Sequence, residues 1–157
     1  MKKEAYFMKL AIGLATQGMR EGKGGPFGCL IVKDGEIVGK GYNSVLATND
    51  PTAHAEIEAI RDGCRNLNSF LLEGCEVYTS CEPCPMCLGA IYWARPDKVY
   101  YACTQSDAAE AGFDDQFIYK EIDLSPEKRK IPFVQVVPIN SKEPFEEWVK
   151  KEDKTPY

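Results

Sequence analysis

Apolar residues recur at Phe7, Leu10, Ala11 and Leu14, and Met8, Ile12, Ala15 and Met19 widen the stripe. That spacing predicts a helix with a broad buried face over residues 4–20, ended by Gly18 and Gly22. The period then changes. Two short apolar runs, 29–32 and 37–42, flank Lys33-Asp34-Gly35-Glu36, and Asp-Gly between such runs predicts a two-stranded hairpin. Helical spacing returns after His54, with Ile57, Ile60, Cys64 and Leu67 on one face. Residues 76–79 predict a strand, Pro85 opens a helix over 86–94 that stops at Arg95-Pro96, and 98–102 predict a further buried strand. Strand, helix and strand in that order form a crossover, so this part of the sheet is expected to be parallel and right-handed. A last strand is expected at 132–137 and a terminal helix at 144–151 that carries Trp148.

Composition narrows the setting. A chain of 157 residues is long enough for a proper core and is read as one domain, 1–157. Lysine and arginine number 19 against 24 acidic residues, a formal charge of −5, and no basic run is dense enough for a nucleic-acid track. Lys2-Lys3, Lys128-Arg129-Lys130 and Lys150-Lys151 read as solvated faces. Seven cysteines is an odd count, which fits a reduced cytoplasmic protein better than a disulfide framework. Lys2, Lys3, Glu4 and Lys9 leave no apolar signal core, and no apolar run reaches membrane-spanning length. A soluble, cytoplasmic protein is expected, with no membrane and no nucleic-acid partner.

The chemistry concentrates in Thr79-Ser80-Cys81-Glu82-Pro83-Cys84-Pro85-Met86-Cys87, taken together with His54-Ala55-Glu56. A catalytic zinc takes three protein ligands and keeps its fourth position for water. His54, Cys84 and Cys87 supply such a set, and His54 is the only histidine. A zinc-dependent nucleobase deaminase carries this pattern, H-x-E followed by P-C-x-x-C. A redox dithiol would not need His54 and Glu56, whereas Cys81 leaves open a closed structural site with four ligands. Glu56 favours catalysis, because hydrolysis needs a base beside the attacking water. Residues two apart on a regular helix point to opposite sides, so His54 must lie at the helix entrance for Glu56 to converge with it. Helices starting at both halves of the motif would favour the thiolate form of Cys84 and Cys87.

Other positions are less decided. Gly24-Gly25-Pro26-Phe27-Gly28 is not a phosphate loop; it is either a plain turn or a backbone that approaches a ligand and presents Phe27. Asn43, just past a strand, is either a turn cap or an amide offered to a heterocycle edge. Asp107, Glu110, Asp114 and Asp115 form an acidic stretch that reads as a solvated face on its own terms, and Tyr157 as a terminal residue.

The zinc motif resembles that of the cytidine-deaminase-fold superfamily. The segments 24–28 (GGPFG), 49–54 (NDPTAH), 88–96 (LGAIYWARP) and 107–120 (DAAEAGFDDQFIYK) resemble, within it, the small bacterial guanine deaminases. The resemblance runs over nearly the whole chain. It implies an α/β fold, a three-layer α/β/α sandwich around a mixed five-stranded sheet, with one zinc per subunit. It implies a homodimer that exchanges C-terminal segments, here 138–157, so that Tyr157 covers the partner's pocket. The substrate would be a small purine, guanine deaminated to xanthine and ammonia, with Glu56 and Asp115 catalytic. Asn43 would bond the purine, Phe27 and Trp93 wall it, and Asp115 hold it. Related chemistry on a tRNA adenosine, a guanosine or a cytosine is the alternative.

Overall fold

In the computed structural model, which describes residues 2–157, Asp34 and Gly35 both take positive φ, 50° and 85°. That is the backbone of a tight hairpin turn matched to strand twist. It folds β1 (Gly28–Lys33) antiparallel onto β2 (Glu36–Tyr42), with Lys33 paired to Glu36. On its other edge β1 pairs antiparallel with β3 (Cys75–Cys81), and β3 pairs parallel with β4 (Lys98–Cys103). The helix α4 (Pro85–Ala94) makes the crossover between the two parallel strands, as the order of elements requires.

Helices cover both faces. On one, α1 (Lys3–Arg20) packs Phe7 and Ala11 against Leu30, Val32 and Tyr78. On the other, α3 (Ala55–Leu67) packs Ala55 and Ala59 against Cys29, Ile31 and Val77. Successive residues of β1 therefore serve opposite cores, which is why 29–32 is an unbroken apolar run with no alternation. Smaller elements are α2 (Val45–Thr48), α5 (Gln105–Glu110), α6 (Gln116–Ile122), a 3₁₀ turn at Pro126–Lys128 and α7 (Glu143–Lys150). The chain divides into two compact units, one ending at Gln116 and one starting at Phe117. Within the second, the Arg129 guanidinium donates to the Glu121 carbonyl at 3.1 Å and lies 5.0 Å over the Phe133 ring.

One expectation is corrected. The sheet has four strands in the order β2-β1-β3-β4, not five. Residues 132–137 form no strand. Pro132 and Pro138 remove backbone donors at both ends of that run, and Val134, Val136 and Val137 are exposed with no partner strand to pair them. Among the described residues no helix is long and apolar enough to cross a membrane, and all seven cysteines are unpaired.

The close contact of α3 with β2 depends on Gly41. A Cβ there would lie 2.4 Å from the Ala55 carbonyl oxygen and 2.6 Å from the Ala59 nitrogen, both main chain. Nothing surrounds a Cβ built on Gly13, in the middle of α1. Gly41→Ala should cost about 1–3 kcal/mol, lowering Tm by roughly 3–10 °C. Gly13→Ala should raise stability by about 0.5–1 kcal/mol. Thermal melts of the two variants check both signs.

Candidate active site

Both halves of the zinc motif sit at helix starts. His54 is the residue before α3, with extended backbone (φ −71°, ψ 157°), and Glu56 falls in the helix's first turn. Because His54 is not itself helical, the two-residue spacing does not send the side chains to opposite faces. Cys84 stands in the same position before α4 (φ −66°, ψ 167°), Pro85 takes the first helical place, where a missing N–H costs nothing, and Cys87 follows in the first turn.

The three donors converge. His54 Nδ1 lies 3.5 Å from Cys84 Sγ and 3.6 Å from Cys87 Sγ, and all three ligand atoms fall within 4.8 Å of one another. Tetrahedral zinc with Zn–S of about 2.3 Å and Zn–N of about 2.0–2.1 Å separates N from S by about 3.5 Å. The tripod fits zinc. Cys81 stays outside it and directs its thiol to the Thr104 carbonyl at 3.5 Å. The four-ligand structural site left open by the sequence is therefore not assembled.

The hydrogen bond with Cys87 holds the Cys84 thiol down at about 4; burial opposes this, and His54 and the Cys87 backbone N–H add to it. The same bond, with burial, pushes Cys87 far up. His54 is raised by its bond to Cys84. A metal that binds both sulfurs must displace the protons they carry. Glu56 is 6 % exposed, and burial raises its carboxyl above the ordinary range. Its Oε1 accepts a hydrogen bond from Thr79 Oγ1 at 3.2 Å, and its Oε2 lies 3.4 Å from Cys87 Sγ.

These groups form one end of a cavity of about 840 Å³, whose walls include His54, Glu56, Cys84, Phe27, Asn43, Phe113 and Asp115. Asn43 is buried at the end of β2, and one atom of its amide faces two backbone donors, Gly25 N–H at 3.2 Å and Val45 N–H at 3.3 Å. That atom is the oxygen. Neither contact uses the NH₂ group, so Asn43 braces the turn through its oxygen. The contact explains Gly24, where a Cβ would meet Asn43 Oδ1 at 2.0 Å. Phe27 meets Phe113 edge to face at 5.0 Å between centroids.

The acidic stretch divides by role. Asp107 closes a capping box with Thr104, accepting its backbone N–H at 2.7 Å, and Asp114 accepts the Gln116 N–H at 2.9 Å. Of the four carboxylates Asp115 alone is half-buried; it lies with Asp114 on the cavity wall, where burial and then the Cys84 charge raise its carboxyl. Trp93 lies on α4 at 65 % exposure and is not part of the wall. Tyr157 ends the second unit at 71 % exposure. Sequence reasoning missed Phe113, Thr79 and Glu82. Glu82 lines the cavity and accepts the Gln105 N–H at 3.2 Å; its place inside the cysteine motif was the available signal.

Residues 1–103 match the family described as the cytidine and deoxycytidylate deaminase zinc-binding region. A guanine deaminase of Bacillus subtilis is 59 % identical over 142 residues, 90 % of this chain and 91 % of that protein. A crystal structure of guanine deaminase from Bacillus subtilis superposes with a TM-score of 0.96 at 56 % identity, covering 98 % of each chain. A tRNA-specific adenosine deaminase of Aquifex aeolicus is 48 % identical over 97 residues, 62 % of this chain and 64 % of that one. A guanine deaminase structure from Nitrosomonas europaea gives a TM-score of 0.65 at 30 % identity, covering 69 % of this chain and 63 % of that one.

The tripod predicts its own metal dependence. Purified protein should hold about one zinc per chain by atomic absorption, lose it to a chelator, and release it increasingly as pH falls and the thiolates and imidazole take up protons. His54→Ala and Cys84→Ala should bind little zinc, whereas Cys81→Ser should keep the full amount.

Proposed function

The chain belongs to the zinc-dependent cytidine and deoxycytidylate deaminase family, and we propose that its reaction is the hydrolytic deamination of guanine to xanthine and ammonia. The observation that carries the reading is a His54–Cys84–Cys87 tripod with the Glu56 carboxylate beside it, opening on a cavity of about 840 Å³. Guanine is chosen over other bases because the Bacillus guanine deaminase is similar along nearly the entire chain.

Zinc held by His54, Cys84 and Cys87 would supply the Lewis acidity that makes water a nucleophile near neutral pH. Glu56 takes one proton from that water as its oxygen adds to C2, the carbon bearing the amino group. It delivers the proton to the ring nitrogen beside C2. The C2–amine bond then breaks, and the amine leaves as ammonia with the second proton, moved by Glu56 or Asp115. The Asn43 NH₂ donates to an acceptor on the purine ring, and Phe27 with Phe113 holds the ring plane. Asp115, on the cavity wall, holds the donor edge of the base. Trp93 is kept as a wall residue only in the assembled protein, where a second copy lies against α4.

We read residues 1–157 as one deaminase domain with the family's three-layer sandwich, acting as a homodimer in which 138–157 is exchanged. Support comes from exposed apolar side chains in each unit, Phe133, Val136, Ile139 and Phe145 in the second and Leu88 and Tyr92 on α4 in the first. Patches of such residues mark association. Tyr157 then covers the partner's cavity. Seven unpaired thiols suit a reducing cytoplasm.

Ammonia release from guanine, guanosine, adenine, cytosine and an anticodon stem-loop RNA tests the reading. Guanine alone should be turned over, and chelation should stop it. Glu56→Gln should lose about 10²–10⁴-fold in kcat with zinc retained, and Asp115→Asn should slow guanine turnover with the metal still bound. Turnover of the RNA or of cytosine would overturn the substrate and keep the chemistry. Sedimentation should give about twice the 17.5 kDa chain mass, and Tyr157→Ala should raise KM for guanine; a monomer with wild-type kinetics in that variant would overturn the exchange.

A further inference from the structure

Thr79 is 1 % exposed, and sits on β3 two residues before Cys81 and five before the first sulfur of the tripod. Its hydroxyl donates to Glu56 Oε1 at 3.2 Å across the gap between β3 and α3. The other carboxylate oxygen, Oε2, lies on the tripod side, 3.4 Å from Cys87 Sγ. The two oxygens therefore face different surroundings. Alternation along β3 places Val77, Thr79 and Cys81 on one side of the sheet, and Val77 packs there with Ala55 at the start of α3. The strand that delivers Thr79 is thus fixed against the helix that delivers Glu56. No buried side-chain nitrogen or oxygen among the described residues lacks a partner, so the Thr79 hydroxyl has a defined acceptor.

The geometry points to Thr79 as a positioning residue that divides the work of the Glu56 carboxylate: it anchors Oε1 and leaves Oε2, aimed at the tripod, as the oxygen that carries the proton. This rests on Glu56 being the proton carrier of the proposed reaction. Without the hydroxyl, the carboxylate is free to rotate about its last bond, and Oε2 loses its aim. Misplacement of a reacting group by about 1 Å is worth on the order of 10²-fold, and a hydrogen bond to a charged group about tenfold or more. Thr79 touches neither substrate nor metal, so the loss falls on kcat and not on binding.

Three variants test this in zinc-loaded protein: Thr79→Val, which keeps shape and removes the hydroxyl, Thr79→Ala, which removes it with less steric demand on the core, and Thr79→Ser, which restores it. The expected result for Val and Ala is kcat lowered about 10- to 100-fold. KM for guanine, xanthine affinity by calorimetry and zinc content should stay at wild-type values, with Ser recovering most of the rate. A crystal structure of Thr79→Val should show the Glu56 carboxylate turned from its present orientation. Wild-type kcat in both Val and Ala, a change confined to KM or to zinc content, or a Ser variant as slow as Val would each overturn the assignment. Glu56→Gln run alongside separates the two levels. A fully active Glu56→Gln overturns the underlying reading, whereas an inactive one beside an unimpaired Thr79→Val overturns only the role of Thr79.

Discussion

Two helices begin at one point, and the rest of the site follows from that. His54 and Cys84 each occupy the last extended position before a helix. A helix N-terminus carries roughly half a positive charge and unpaired N–H groups. Two of them facing one spot favour a negatively charged cluster that isolated thiols would resist. The sheet makes the meeting possible. β3 runs into the cysteine loop, β2 leads to the loop before His54, and β1 pairs with both, so the register of three strands sets where the sulfurs meet the imidazole. The absence of a Cβ at Gly41 lets α3 lie directly on β2. A shift of either helix by part of a turn would leave three ligands that do not share a metal.

The metal ligands were legible from sequence because their chemistry is tied to spacing. Cys84 and Cys87 lie one helical turn apart, and a lone histidine followed by a glutamate must sit at a helix entrance for both to serve one centre. The hairpin was legible for the same reason: Asp34-Gly35 has few backbone options. The run at 132–137 was misread because apolar composition is the only local signal of a strand. Pairing needs a neighbouring edge, and the second unit contains no other strand. Thr79 and Phe113 were illegible because their partners, Glu56 and Phe27, lie far away in sequence. Nothing local distinguishes a strand threonine that holds a carboxylate from one that merely fills a core.

The acidic stretch shows the same limit in finer grain. Four carboxylates between 107 and 115 look alike in sequence, and a solvated face was a fair account of them. Two are consumed by local backbone geometry, Asp107 at the start of α5 and Asp114 at the start of α6. Asp114 and Asp115 both line the cavity, and of the four only Asp115 is half-buried.

Asn43 turns a flexible functional group into a specific one. In isolation its amide offers a donor and an acceptor to any heterocycle. Two backbone N–H groups bind the oxygen and set the orientation of the amide, and a glycine is needed at position 24 because a Cβ there would meet that oxygen. On the proposed reading, the donor is what remains for a substrate. A base that presents an acceptor there gains a bond, whereas one that presents an N–H leaves a buried donor unpaired, a penalty larger than the bond itself is worth. Thr79 imposes the same kind of restriction on Glu56 by occupying one of its two oxygens. On the proposed reading, selectivity and rate in this site depend on backbone and strand groups that use up half of a side chain's bonding capacity, leaving the other half with one direction to act.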